Sequence, residues 1–222
     1  EDGVREGLWW AKKFNLPRVV VAGGSNVLMP DEGLQALVIH MEGDSFAFTD
    51  GELSADAGCN LLTLIRAASD EGFGGWEALA GIPGSIGGAV RGNAGAFGTE
   101  IKDVLTSVRA LHAETGEVRD FSIGECAASY RMSFFKENPE WILTRVTVRL
   151  KPVDSAESTK KANETIAERE RRHIQNVQAA GSYFVNPVVS REIQIQFEEE
   201  KGMKSREERV PAGWLIEKAG MK

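Results

Sequence analysis

Ten of the chain's 24 glycines fall between Gly72 and Gly98, in a stretch otherwise rich in apolar residues. Glycine loses more conformational freedom on folding than any other residue, so ordering so many is costly unless bare backbone is needed. Turn chemistry rarely demands this density. The richest part reads Gly81-Ile82-Pro83-Gly84-Ser85-Ile86-Gly87-Gly88-Ala89-Val90-Arg91-Gly92-Asn93-Ala94-Gly95-Ala96. It fits a main chain that wraps closely around a ligand, with N–H groups facing phosphates and ring edges. A shorter segment, Val19-Val20-Val21-Ala22-Gly23-Gly24-Ser25-Asn26, reads as a strand ending in two glycines. Alone it fits a tight strand-end turn as well as a phosphate site. Neither the G-x-G-x-x-G fingerprint nor a phosphate loop ending in Gly-Lys-Ser/Thr is present.

The 222 residues carry a net charge of -7. That balance argues against nucleic acid or an anionic membrane as the main partner, while allowing a local basic pocket. Cys59 and Cys126 have no metal-ligand spacing and read as two reduced, partly buried thiols, so no metal is expected. No stretch approaches the roughly 20 apolar residues of a membrane span, and no signal peptide is visible. A cytoplasmic protein is expected. The chain starts at Glu1 directly in helix-like sequence, as though a segment preceded it.

Val4, Leu8 and Ala11 lie at helical spacing. Strands are expected at Arg18 to Ala22, at Ala36 to His40, and around Phe46 and Phe48, with a hairpin turn at Asp50-Gly51. Asn60 can cap a helix with an apolar face of Leu61, Leu64, Ile65 and Ala68 and a stop at Gly72. Val104 to Ala113 and Glu117 to Phe121 form a second hairpin. Ile142 to Lys151 alternates, with Ile142, Thr144, Val146, Val148 and Leu150 on one face. Residues 158–173 are highly charged and read as a solvated helix, with Glu168 and Arg172 at i,i+4 spacing. The boundary is placed near residue 153, at Asp154-Ser155-Ala156. The order of strands and helices is α+β rather than a strict β-α-β alternation.

Two further segments carry chemistry. Cys126-Ala127-Ala128-Ser129-Tyr130-Arg131-Met132-Ser133-Phe134-Phe135-Lys136 is one, and Ala180-Gly181-Ser182-Tyr183-Phe184-Val185-Asn186-Pro187 is the other. Gly23-Gly24-Ser25-Asn26 with Gly81 to Ala89 resembles the FAD-binding domain of the vanillyl-alcohol-oxidase type. Adding Asn93-Ala94-Gly95-Ala96-Phe97-Gly98 narrows the resemblance to the enolpyruvoylglucosamine reductases. The third segment resembles that family's Tyr-Arg-x-Ser-x-Phe-Lys motif, and the fourth its Ala-Gly-Ser-x-Phe-Lys-Asn-Pro. Pro211-Ala212-Gly213-Trp214-Leu215-Ile216-Glu217-Lys218-Ala219-Gly220 looks like a helix of its substrate domain.

The resemblance implies an FAD-binding region in two lobes over residues 1–152, and a linker helix with the start of a smaller substrate domain over 153–222. Non-covalent FAD would be held by Gly23, Gly24, Ser25, Asn26, Gly81, Ile82, Pro83, Gly84, Ser85, Gly87, Gly88, Ala89, Asn93, Ala94 and Gly95. NADPH would be the hydride donor, and UDP-N-acetylenolpyruvoylglucosamine the substrate. Tyr130, Arg131, Ser182 and Asn186 would contact that substrate, with Arg131 on its carboxylate and Ser182 as proton donor. No protein partner is implied. Val185 departs from the family's lysine, so one positive contact to the diphosphate is lost or supplied elsewhere. The family's catalytic glutamate would lie beyond Lys222; Glu217 belongs to the earlier helix motif, and low turnover is expected of residues 1–222 alone. His40 and His112 lie outside the flavin motifs. Two alternatives stay open: a flavin oxidase of the same superfamily, and a catalytically impaired flavin- or nucleotide-sugar-binding fragment.

Overall fold

The computed structural model describes residues 1–171 and 184–221. The chain forms two compact units, Glu1–Asn176 and Val177–Lys222. In the first unit α1 (Asp2–Lys13) leads into β1 (Arg18–Val21), which pairs in parallel with β2 (Leu37–His40). Then come β3 (Phe46–Thr49), β4 (Glu52–Asp56), α2 (Leu61–Asp70), β5 (Phe73–Gly74), α3 (Ile86–Arg91), β6 (Gly95–Ala96) and β7 (Thr99–Glu100). The unit continues through β8 (Leu105–His112), β9 (Val118–Ser122), α4 (Phe134–Glu137), β10 (Trp141–Arg149), β11 (Lys151–Pro152) and α5 (Ser155–Arg171). The second unit contains α6 (Arg191–Lys201) and α7 (Ala212–Lys218). This is the α+β architecture expected from the sequence.

The main sheet has the order β3-β4-β10-β8-β9, with every neighbouring pair antiparallel. Its β3–β4 hairpin turns at Asp50 (φ 50°) and Gly51 (φ 79°). Two consecutive left-handed residues match the right-handed twist of paired strands. One face buries Leu53, Ala55, Val108, Ala110, Val146 and Val148 against Leu61, Leu64 and Ile65 of α2 and Ile86 and Val90 of α3. The other face carries cross-strand ion pairs, Arg145–Asp56 at 2.6 Å, Arg149–Glu52 at 2.7 Å and Arg109–Asp120 at 2.9 Å. Such exposed pairs contribute at most about 1 kcal/mol each.

The alternation expected along β10 breaks at one point. The register shifts between Leu143 and Arg145, and a one-residue slip sends side chains to the opposite face. Leu143 therefore joins Val146 and Val148 in the main core. Ile142 instead packs with Val4, Ile39 and Leu111 in a second cluster, which seats α1 and β2 on the sheet.

Asn60 caps α2, its side chain accepting a hydrogen bond from the Thr63 N–H at 3.1 Å. Gly72 follows the helix with φ 77°. The charged helix α5 departs from a solvated reading. Ser158 is 1% exposed and Ala162 3%. The Ser158 hydroxyl donates to Glu77 Oε1 at 2.7 Å and lies 2.8 Å from the Ser69 hydroxyl. Glu77 Oε2 in turn accepts from the Gly75 N–H at 3.0 Å. This buried network lies within the first compact unit, Glu1–Asn176. Glu168 is bonded to Arg171, by two contacts of 2.7 Å; Arg172 lies outside the described residues.

In the second unit, taken by itself, Phe197, Val210 and Trp214 pack together. Glu198 receives Lys204 Nζ at 3.0 Å and the Ser205 hydroxyl at 2.8 Å. These bonds bring its pKa down to about 2, the Lys204 bond contributing most. Gly202, at φ 63°, ends α6 in the left-handed conformation.

Both cysteines are buried and unpaired. Burial, with Glu125 nearby, raises Cys126 to about 11, and burial followed by Asp56 raises Cys59 above its ordinary value. A thiol reacts as its thiolate. Neither cysteine should react with Ellman's reagent at pH 8 in the folded protein, and both should react rapidly in denaturant. Fast stoichiometric labelling without denaturant would contradict this packing.

Candidate functional site

The two glycine segments singled out in the sequence meet in the first unit. The Ser25 hydroxyl donates to the Pro83 carbonyl at 3.0 Å. A Cβ placed on Gly84 would lie 2.8 Å from Ser25 Oγ, and one on Gly23 would lie 3.9 Å from the Gly84 Cα. Gly84 sits at φ 115° and Gly24 at φ 68°, conformations that side chains disfavour. The result is a cradle of nearly bare backbone, with Gly23, Gly24, Ser25, Asn26 and Pro83 exposed and Gly81, Ile82 and Gly84 half-buried. It suits a group that must approach peptide N–H groups closely, as a diphosphate does.

Not every residue of the motif faces outward. Ser85 is 6% exposed and caps α3, its hydroxyl accepting from the Gly88 N–H at 3.1 Å. Gly87 is buried, and only glycine fits there, because a Cβ would lie 2.8 Å from both the Cβ and the carbonyl oxygen of Ala57. Its N–H donates to that same carbonyl at 2.9 Å. Ala89 is buried as well, whereas Gly88 is exposed. Gly87 and Ala89 thus hold α3 in place, while Gly88 and the half-buried Ala94 and Gly95 remain near the surface.

The loop after α3 meets the Tyr-Arg segment. Ser129 and Met132 exchange backbone hydrogen bonds of 3.1 and 3.0 Å, closing a tight turn over Tyr130 and Arg131. Arg131 sits at φ 58°, uncommon for a non-glycine residue and of the kind that clusters at functional sites. Its guanidinium donates to the Gly95 carbonyl at 3.2 Å and lies 5.5 Å from the centre of the Tyr130 ring. The Ser133 hydroxyl donates to the Arg91 carbonyl at 2.7 Å, and Phe135 is fully buried. These two residues fasten the motif to α3 and to the core. Glu100 is close by, paired to Lys102 at 2.7 Å. Burial alone would raise its pKa. Bonds from Lys102 and Asn93, with the charges of Lys102 and Arg131, outweigh that and leave it below the ordinary value.

Ser182 lies outside the described residues, as do Ala180, Gly181 and Tyr183. Asn186, in the second unit, uses its Oδ1 to accept from the Ala212 N–H at 3.1 Å, capping α7; Arg209 holds its carbonyl at 2.7 Å. Sequence reasoning passed over Arg169 of α5. It is 9% exposed, burial lowers its pKa, and its Nε has no hydrogen-bond partner among the described residues. Its setting in a run of surface charges gave no signal of this. His112 Nδ1 accepts from the Glu114 and Thr115 N–H groups at 3.3 Å, and the exposed His40 lies 3.2 Å from Glu42.

Residues 1–122 match the family model described as an FAD binding domain. The chain is 36% identical to the UDP-N-acetylenolpyruvoylglucosamine reductase of Pseudomonas putida, covering all of this chain and 75% of that protein. The chain belongs to that reductase family. The corresponding enzyme of Pseudomonas fluorescens is 33% identical, over 99% of this chain and 74% of its own length. The crystal structure of UDP-N-acetylenolpyruvylglucosamine reductase from Thermus caldophilus superposes with a TM-score of 0.70 at 30% identity, covering 98% of this chain and 71% of that one. The chain is an FAD-dependent oxidoreductase of this family, and the backbone cradle at Gly23, Gly24 and Gly84 fits the cofactor. Among the described residues no helix is long and apolar enough to cross a membrane.

A side chain at Gly84 tests the cradle. Gly84→Ala places a Cβ 2.8 Å from Ser25 Oγ at a φ of 115°. Such strain costs about 1–3 kcal/mol. FAD affinity should fall about tenfold or more, read by quenching of flavin fluorescence on titration. Unchanged affinity would mean that the cofactor does not use this loop.

Proposed function

We propose that the protein reduces UDP-N-acetylenolpyruvoylglucosamine to UDP-N-acetylmuramate in the cytoplasm, a step in peptidoglycan precursor synthesis, with NADPH as hydride donor and FAD held without a covalent bond. The observation that carries this reading is the docking of the Arg131 guanidinium on the Gly95 carbonyl, within the glycine-rich loop. It sets a fixed cation against a surface suited to a flavin. The placement of His40 and His112 outside the glycine-rich segments favours non-covalent attachment.

Bound FAD would supply the hydride, to the vinyl carbon remote from the carboxylate. Arg131 would grip the carboxylate through a two-pronged, permanently charged group. As negative charge develops on the carbon beside the carboxylate, that guanidinium stabilises it without moving. The Ser182 hydroxyl would deliver a proton to the same carbon. A serine is a weak acid, and it can serve here because the acceptor is a strong base. Tyr130 would line the substrate beside Arg131, and Asn186 would contact its nucleotide diphosphate. With Val185 where the family has lysine, that positive contact to the diphosphate is lost or supplied from elsewhere.

The two half-reactions can be followed separately in flavin-loaded protein without oxygen. NADPH should bleach the flavin, and the enolpyruvyl sugar nucleotide should restore its colour. Ser182→Ala should leave bleaching intact and slow recolouring by about 10²–10⁴-fold, the usual contribution of a general acid. Equal slowing of both would assign Ser182 a structural role. Flavin that NADPH fails to bleach, or that recolours with an alcohol oxidase's pattern of oxygen use, would overturn the assignment.

A further inference from the structure

Asn93 lies in the glycine-rich loop, and its side chain is turned wholly inward. It is 0% exposed. Nδ2 donates to Glu100 Oε2 at 3.0 Å and to the Ser129 carbonyl at 2.8 Å, while Oδ1 accepts from the Lys102 N–H at 3.2 Å. Both amide protons are used, so neither remains for a ligand. The orientation follows from the partners: reversed, the oxygen would face a carboxylate and a carbonyl at once.

Its partners identify what it joins. Ser129 opens the tight turn that carries Arg131, 36 residues along the chain from Asn93. Gly95, two residues after Asn93, is where the Arg131 guanidinium rests. Lys136 holds the same turn from the solvent side, its Nζ donating to the Arg131 carbonyl at 2.8 Å. The left-handed backbone at Arg131, φ 58°, persists only if its surroundings hold it there. Asn93 itself has φ 42°. Asparagine tolerates that conformation better than most residues, and it is a short side chain offering two donors and an acceptor.

We propose that Asn93 is a positioning residue for Arg131: it ties the cofactor loop to the turn bearing the carboxylate-binding guanidinium, and Lys136 secures that turn from outside. This rests on the reading that Arg131 recognises the substrate carboxylate. Asn93 would touch neither FAD nor substrate with its side chain, and its loss would misplace the guanidinium while leaving the flavin cradle at Gly23, Gly24 and Gly84 intact.

The test compares two ligands on flavin-loaded protein, with binding read from perturbation of the flavin spectrum. One is UDP-N-acetylenolpyruvoylglucosamine; the other is UDP-N-acetylglucosamine, which lacks the carboxylate. The ratio of their affinities reports what the enolpyruvyl group, its carboxylate included, contributes. Arg131→Ala should lower the preference sharply, by the carboxylate's share. Asn93→Gly, which keeps the left-handed backbone available, should lower it about tenfold while FAD affinity stays within about threefold. Added to Arg131→Ala, it should change the preference no further, as expected for residues acting through one another. Should Asn93→Gly fail to fold, the surface variant Lys136→Met takes its place; it should lower the same ratio several-fold, again without effect in the Arg131→Ala background. If Arg131→Ala lowers the preference and the Asn93 or Lys136 variant does not, the positioning role is overturned. So is it if Asn93→Gly weakens FAD and spares the preference. A preference left undiminished by Arg131→Ala overturns the functional reading itself, and the positioning role with it.

Discussion

The close approach of Gly87 to Ala57 fixes where the glycine-rich segment can run. A Cβ at Gly87 would lie 2.8 Å from both the Cβ and the carbonyl of Ala57, so only glycine lets α3 settle against the turn leaving β4. Three hydrogen bonds lock the contact: Gly87 N–H to the Ala57 carbonyl, Ile86 N–H to the Cys59 carbonyl, and Leu61 N–H to the Gly84 carbonyl, at 2.9, 2.9 and 3.0 Å. Gly84 is thereby held beside Ser25 on one side of α3. On the other side the chain emerges at Asn93 and Gly95, where the Arg131 turn docks. The glycine cradle and the Arg131 turn are both referenced to one short helix, itself seated on the sheet through Ile86 and Val90.

Much of this was legible because it depends on local chemistry. The Asn60 cap, the stop at Gly72 and the turn at Asp50-Gly51 are each decided by a few neighbouring residues. So is the inward face of α2. The glycine-rich loops were legible for a related reason, since glycine at that density has few uses. What stayed hidden depends on partners distant in sequence. Nothing near Ser158 announces that it bonds Glu77 and Ser69, so α5 read as a solvated helix. Nothing near Ile142 announces the register shift that divides it from Val146.

The candidate site divides along the same line. That Gly23 to Asn26 and Gly81 to Ser85 belong together followed from motif resemblance, and their contact through Ser25 agrees with it. The separate duties within the motif were not legible: Ser85 as a cap, Gly87 as a packing residue, Asn93 as a bridge. All three look alike in sequence, as small or polar residues in one glycine-rich run. Burial and hydrogen-bond direction separate them.

The strand order has a consequence for how the chain is made. β10 lies between β4 and β8, and its partners include Asp56, paired with Arg145. On a ribosome the β3–β4 hairpin, the whole glycine-rich loop and the β8–β9 hairpin all emerge before the strand that joins them. Until Trp141 to Arg149 arrives, two sheet edges stand open, and α3 lacks the β10 part of the surface it will rest on. Distant pairings of this sort form slowly and leave strand edges exposed meanwhile. The nascent chain therefore carries its glycine-rich loop complete before the strand that finishes the sheet beneath it.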